Sequence, residues 1–229
     1  LKFSPPGTKN IKADVSKFCT ETLKYIQPKK KGINLEIIKS YKSSLRREIP
    51  PIYKKCELLL SIIVKSLPDA IIVGDSTQPT YYGNLHSEIT TDNRWFNSAT
   101  GFGTLGYATS ASMGAQLACS NKPVICIIGD GGFQFSLAEL GTAIDESIPV
   151  LFLIWNNSEY KEIRTFMEAQ SIPPIGVSPK PPNLELIAKS YSIDFKKIEN
   201  SSGLSEVLLE FSKNRRPLVI ELIENTFKS

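Results

Sequence analysis

Short apolar runs and helical stripes alternate along this chain. Ala70–Val73, Val124–Ile128, Val150–Trp155, Ile193–Ile198 and Pro217–Ile223 are rich in Ile, Val and Leu, and only the fourth is strongly charged. Runs of this kind suit strands buried on both faces of a parallel sheet. Between them, Leu58, Leu59, Ile62, Ile63 and Leu67 recur at helical spacing, as do Leu137, Leu140 and Ile144. Further helices are predicted over 104–119, 183–191 and 203–213. The stretch 124–157 is the clearest unit: a buried run, the turn Gly129-Asp130-Gly131-Gly132, a helix, a second buried run opened by Pro149, and Asn156-Asn157. That is a βαβ unit, whose crossover is right-handed.

The whole pattern predicts an α/β fold: a doubly wound, mostly parallel sheet of about six strands with helices on both faces. Before it, Ile11, Val15, Phe18, Thr22 and Ile26 share a helical face, Gln27–Gly32 reads as a linker, and a second amphipathic helix over 33–47 ends before Pro50-Pro51. The expected boundary falls at residue 50, with 1–50 outside the sheet domain and 51–229 forming it. Pro-rich 171–182 is too long and stiff for a simple turn. No internal repeat or low-complexity tract interrupts the chain.

Composition narrows the class. The 229 residues are 41% apolar and 22% charged, with net charge +4. A soluble globular domain with a sizeable core is expected. No apolar run approaches a membrane span, and Lys29-Lys30-Lys31 is too narrow a basic patch for nucleic-acid binding. Cys19, Cys56, Cys119 and Cys126 lack metal-type spacing, and Cys119 and Cys126 lie in apolar contexts. They fit core thiols in a reducing, cytoplasmic setting. No signal peptide is visible, and a start at Leu1 rather than Met suggests a fragment or processed product.

The candidate chemistry sits at strand ends. In a right-handed βαβ unit, Asp130 and the asparagine pair both lie at carboxyl edges of parallel strands, where ligands of open α/β sheets bind. They can therefore converge, although 26 positions separate Asp130 from Asn156. A carboxylate and an amide oxygen are hard ligands suited to Mg²⁺, which completes its shell with phosphate and water. Gly129, Gly131 and Gly132 let a phosphate approach backbone N–H groups at a helix start.

GDG followed some two dozen residues later by NN resembles the cofactor motif of thiamine-diphosphate enzymes. The likeness extends to GDSTQPTYYGN (Gly74–Asn84), WFNSATGFGTLGYATSASMGAQLA (Trp95–Ala118) and WNNSEYKEIRTFM (Trp155–Met167). These stretches are similar to the carboxyl-terminal, diphosphate-binding domain of the acetolactate-synthase-like group. GDSTQP and WFNSATGFGTLGY look closest to its 5-guanidino-2-oxopentanoate decarboxylase branch. The likeness runs from about Tyr53 to Leu222. It implies thiamine diphosphate and Mg²⁺ as cofactors and a 2-oxo acid as substrate, with decarboxylation or carboligation as the chemistry.

The resemblance also assigns residues. Asp75, Ser76, Thr77 and Gln78 are placed near the diphosphate, with Gly129, Asp130, Gly131, Gly132, Asn157 and Tyr160. The carbonyl of Gly103 accepts a bond from the pyrimidine amino group, and Thr104 follows it. Leu105 is the wedge between the cofactor rings, where relatives often carry Met. Asp130, Asn157 and the backbone carbonyl of Glu159 are the implied metal ligands. Many relatives have Gly where Glu159 stands, and a non-Gly residue restricts positive φ there. The residues before 50 would end a preceding central domain. The activating glutamate of the family lies on a pyrimidine-binding domain contributed across a dimer interface, and no stretch here resembles it. No catalytic residue is expected in this chain. A homo-oligomer, dimer or tetramer, is implied, with small residues of 104–119 such as Ala108 and Gly114 as a candidate interface. The chain alone is expected to hold half a cofactor site and to be inactive.

Rival expectations exist. A non-catalytic diphosphate-binding remnant would keep the same motifs without a partner domain. Gly101-Phe102-Gly103-Thr104-Leu105-Gly106 is a literal GxGxxG with Asp130 24 positions on, as in a nucleotide-dependent oxidoreductase. Against that, NRWFNSAT before it is too polar for a first buried strand, and Asp130 is followed by two glycines. His86, the only histidine, is expected in a polar loop with Glu88, Asp92 and Asn93, and no GxSxG elbow supports a hydrolase. Glu162 and Arg164 read as a helix surface pair, with reach to a substrate as the less favoured alternative.

Overall fold

The computed structural model describes residues 6–27, 34–47, 49–87 and 94–228. The basic run 29–31 and the residues Glu88, Asp92 and Asn93 lie outside the described residues. The chain forms two compact units, 1–47 and 48–229.

The first unit carries two helices, α1 (Val15–Leu23) and α2 (Leu35–Arg47). Asp14 caps α1 by accepting from the Lys17 N–H at 2.9 Å, and Asn34 accepts from the Glu36 N–H at 2.9 Å. The first helix is shorter than the stripe from Ile11 to Ile26. None of the described residues of this unit is buried, so nothing apolar holds the ends of that stripe in helix.

The second unit holds six described strands, all parallel: β1 (Ile71–Gly74), β2 (Trp95–Asn97), β3 (Val124–Gly129), β4 (Val150–Asn156), β5 (Asp194–Ile198) and β6 (Leu218–Ile223), in the order β2-β1-β3-β4-β6-β5. The described helices of the second unit are α3 (Pro51–Ser66), α4 (Gln78–His86), α5 (Tyr107–Ala118), α6 (Asp130–Phe133), α7 (Glu139–Asp145), α8 (Lys161–Ala169), α9 (Leu184–Ser190) and α10 (Ser201–Lys213).

Strand alternation sends the core to two faces. Ile72, Ile125, Ile127, Leu151, Leu153, Trp155, Ile220 and Leu222 join residues of α3 and α10 in one cluster. Ile71, Val73, Cys126, Ile128, Phe152, Ile154 and Val219 join α5, α7 and α9 in the other. Every residue of β4 is buried, as befits a strand covered on both sides. The small residues Ala108, Ala111 and Ala115 let α5 approach the sheet, whereas Gly114 and Ala118 face outward.

Three expectations change. NRWFNSAT does contain a strand: β2 pairs with β1 at the sheet edge, where polarity is tolerated because only one neighbour and part of each face are covered. The helix expected from Thr104 begins at Tyr107, because Gly103 and Gly106 hold left-handed φ of 69° and 81°. His86 ends α4 rather than lying in a loop, and its ring sits 5.2 Å from Tyr82 and 6.3 Å from Tyr53. It is an aromatic packing residue.

Candidate functional site

The connection leaving β1 runs to β2 on one side and the connection leaving β3 runs to β4 on the other, so the carboxyl ends of β1 and β3 flank a switch point. A cavity of about 240 Å³ opens there. Its walls are the segments that follow β1, β3 and β4, closed by Gly103 and Leu105. Ser76, Thr77, Gln78, Gly103, Leu105, Gly129, Asp130, Gly131, Gly132, Asn157, Glu159 and Tyr160 all line it.

Asp130 opens α6 straight from the end of β3 and is 1% exposed. Its Oδ1 accepts from the Asn157 N–H at 3.3 Å, while its Oδ2 is buried with no hydrogen-bond partner. Burial raises its pKa above the usual carboxylate range, against backbone hydrogen bonds that lower it. A buried anionic oxygen left unpaired is costly unless a cation meets it.

The two asparagines divide their work. Asn156 is buried and donates to Glu221 Oε1 at 2.6 Å, tying β4 to β6. Its Oδ1 accepts from the Ser158 N–H at 3.0 Å, and Asn157 Oδ1 accepts from the Glu159 N–H at 3.1 Å. Two successive Asx turns thus reverse the chain. The left-handed residue they need is Ser158, with φ 58°, not Glu159, so a side chain at Glu159 brings no strain. Asn157 donates through Nδ2 toward Gln78 Oε1 at 3.4 Å, and its carbonyl oxygen, which spends one lone pair on the Glu159 N–H, keeps the second for a ligand on the cavity wall.

Glycine is required at Gly131, where a Cβ would come within 2.5 Å of the Tyr160 ring. Tyr160 is held in place by its N–H donating to the Val177 carbonyl at 2.8 Å. The Pro-rich segment is therefore pinned to the cavity wall through buried Val177.

Asp75 and Thr104 are not on the cavity wall. Asp75 is fully buried and accepts from the N–H groups of Ser76 and Gly106, both at 2.7 Å. It anchors the GFGTLG loop from inside. Thr104 is exposed. The bond to Asp75 also answers the dinucleotide reading. Strand, GxGxxG and helix do follow one another here, but the Gly106 N–H is spent on Asp75. Asp130 also ends a strand that is not β2's neighbour.

Sequence reasoning missed Tyr81, Lys161 and Ile163 on the wall, and it favoured a surface pair for Glu162, which lines the wall as well. Tyr81 lies one turn after Gln78, so helical spacing could have found it. Arg164 pairs with Glu159 and Glu168, not with Glu162. Glu224, 3% exposed just past β6, also went unseen. It accepts from Lys161 Nζ and from Trp155 Nε1, the latter at 3.3 Å, and Trp155 reaches Gln78 Oε1 at 3.4 Å. An acidic residue at the carboxyl end of a parallel strand was the available signal. Replacing Glu224 by Ala strands Lys161 and half of the indole hydrogen bond. The expected loss is about 2–4 kcal/mol in urea unfolding, below the full cost of breaking a buried pair because Lys161 reaches solvent.

A parallel α/β sheet with a glycine-walled crevice, a buried carboxylate with one unpaired oxygen and an amide oxygen fits a phosphate- and cation-binding domain. Comparison with known proteins specifies it. The sequence model of the family described as "Thiamine pyrophosphate enzyme, C-terminal TPP binding domain" matches residues 75–222, and the chain belongs to that family. Its cofactor is thiamine diphosphate, used with a divalent metal that is typically Mg²⁺.

Among curated relatives, the probable 2-ketoarginine decarboxylase AruI of Pseudomonas aeruginosa is 35% identical over 152 residues, 66% of this chain and 27% of that protein. The acetolactate synthase large subunit of Parasynechococcus marenigrum is 31% identical over 196 residues, 82% of this chain and 31% of that protein. Among solved structures, the thiamine diphosphate-dependent 4-hydroxybenzoylformate decarboxylase of Rhodococcus jostii superposes with TM-score 0.66 at 24% identity, over 73% of this chain and 32% of that one. That likeness shows the fold. The chain spans about a third or less of the length of these relatives. No helix among the described residues is long and apolar enough to cross a membrane.

Proposed function

We propose that this chain is the cofactor-binding part of a thiamine-diphosphate- and Mg²⁺-dependent 2-oxo acid decarboxylase or carboligase. The observation that carries this is the buried, unpartnered Oδ2 of Asp130 on the wall of a cavity whose lining also brings glycines, hydroxyls and amides together. Asp130 Oδ2, Asn157 Oδ1 and the Glu159 carbonyl hold the metal. The hydroxyls of Ser76 and Thr77, the Gln78 amide and the N–H groups of Gly131 and Gly132 hold the diphosphate. Gly103 and Leu105 meet the pyrimidine ring and the bend of the cofactor. Thiamine diphosphate held there would supply the carbon nucleophile for the 2-oxo carbon and the electron sink for decarboxylation. The residues of this chain anchor and orient it and exclude water.

Activation requires a glutamate from a pyrimidine-binding domain, on the same or another chain, in a homo-oligomer. The segment before residue 50 is the end of a preceding central domain. The four cysteines, all free, suit a cytoplasmic setting. A 2-oxo acid with a guanidinium tail, as the name of the Pseudomonas relative indicates for that protein, is the favoured substrate.

Calorimetric titration of thiamine diphosphate into the chain tests this. Binding is expected with Mg²⁺ and not with EDTA. Turnover of 2-oxo acids is expected only after a pyrimidine-binding domain is added. Metal-independent binding, or turnover by the chain alone, would overturn the assignment.

A further inference from the structure

The charged side chains on the cavity wall are Asp130, Glu159, Lys161 and Glu162. Asp130 faces the proposed metal. Glu159 is neutralised by Arg164, and Lys161 by Glu224. Glu162 alone among these four has neither a hydrogen bond nor an ion pair with the described residues. A bare carboxylate is out of place beside a site for a diphosphate and a 2-oxo acid, both anions, since like charges at short range repel.

Its surroundings explain it. Glu162 stands in the first turn of α8 beside Ile163, which is 51% exposed and also lines the cavity. Tyr81 lines the same wall, and Tyr53 lies close enough to feel the same charge. Burial raises the pKa of both phenols, and the Glu162 charge adds to it. A carboxylate that shares a cavity wall with Tyr81 and an exposed aliphatic side chain is an environment for an organic cation on an apolar stem. The carboxylate attracts the charge, aromatic faces accept it, and Ile163 covers the methylenes.

We infer that Glu162 is a specificity-determining residue of this site and that it selects a 2-oxo acid whose far end carries a cationic nitrogen group. The inference rests on the cofactor assignment above and adds the residue that reads the tail. The substrate is then dipolar. Its acid end faces the metal and cofactor, and its cationic end offsets the charge that would otherwise oppose anion binding at the mouth. The cofactor does not need Glu162. Removing that charge leaves thiamine diphosphate bound equally well or more tightly.

The test uses the chain loaded with Mg²⁺ and thiamine diphosphate, whose binding is measured first. Two unreactive probes lacking the 2-oxo group, 5-guanidinopentanoate and hexanoate, are then titrated into wild type, Glu162→Gln and Glu162→Lys. Wild type is expected to prefer the guanidinium probe by about fivefold, the upper end for an exposed ion pair, and less at high salt. Glu162→Gln loses the preference and Glu162→Lys reverses it, with thermal unfolding unchanged because the side chain is exposed. Equal affinity for the probes, no binding of either, or a preference that survives in Glu162→Gln would overturn the inference while cofactor binding stands. Failure of thiamine diphosphate to bind overturns the cofactor assignment, and the inference falls with it.

Discussion

Asp130→Asn is expected to abolish Mg²⁺-dependent binding of thiamine diphosphate and, without metal, to raise the melting temperature. The two effects share one cause. Asp130 Oδ2 is buried and unpartnered, and burial raises its pKa against opposing backbone hydrogen bonds. A carboxylate whose folded pKa is raised binds its proton more tightly in the folded state. Stability therefore falls as pH rises from the unfolded pKa through the folded one, and the penalty is fully present above the folded pKa. An amide of the same shape carries no charge to desolvate, and water entering the cavity can satisfy an amide where it cannot cancel a charge. A gain of about 1 kcal/mol, roughly 2–4 °C, is expected for a chain of this size. The gap should narrow as pH is lowered into the carboxylate range. Losing a direct metal ligand should weaken binding at least about 100-fold, beyond what losing an outer partner costs. Scanning calorimetry and titration calorimetry of the same samples decide it. An Asp130→Asn protein that melts lower than wild type, or that still binds in a Mg²⁺-dependent way, removes Asp130 from the metal site.

The large elements were legible in the sequence because both kinds of period were strong. Uninterrupted apolar runs such as Val124–Ile128 and Val150–Trp155 became the central strands β3 and β4, and both end at the cavity. The site followed from the same rule, since Asp130 and Asn157 had to lie at carboxyl edges of neighbouring strands. The edge strand β2 was invisible because an edge position does not demand apolar residues, and WFN carries no alternation long enough to read. Glu224 and Lys161 were invisible for another reason. Their pairing spans 63 positions and depends on how the end of β6 meets the start of α8. Local pattern carries no information about such contacts. Likewise the bond partners of Arg164 on α8 are settled by the Asx turns at Asn156 and Asn157, which bring Glu159 back within reach.

Asp75 is the case where the sequence named the right residue for the wrong work, and it gives the opposite expectation to Asp130. It lies just after β1, at the edge where diphosphate contacts are sought, yet its side chain turns inward. Both oxygens are taken: Oδ1 by the Ser76 N–H and Oδ2 by the Gly106 N–H, each at 2.7 Å. Gly106 itself admits no other residue, because its φ is 81° and a Cβ would lie 2.9 Å from that of Phe135. The GFGTLG loop is thus fixed at its last glycine, and this fixes where Gly103 and Leu105 meet the cavity. Asp75→Ala leaves two backbone donors without an acceptor. The expected loss is about 2–5 kcal/mol, or a fall of roughly 5–15 °C in melting temperature. Asp75→Asn should recover little, because an amide must turn its NH₂ toward one of the two N–H groups. Asparagine is therefore expected to raise stability at Asp130 and to lower it at Asp75, although both are buried carboxylates whose pKa burial raises. The difference is that Asp75 has its partners within the chain, whereas Asp130 lacks one. Thermal melts of Asp75→Asn and Asp130→Asn, without metal or cofactor, distinguish the two roles directly. A shift of the same sign in both would mean that hydrogen-bond satisfaction does not separate the structural carboxylate from the ligand-binding one.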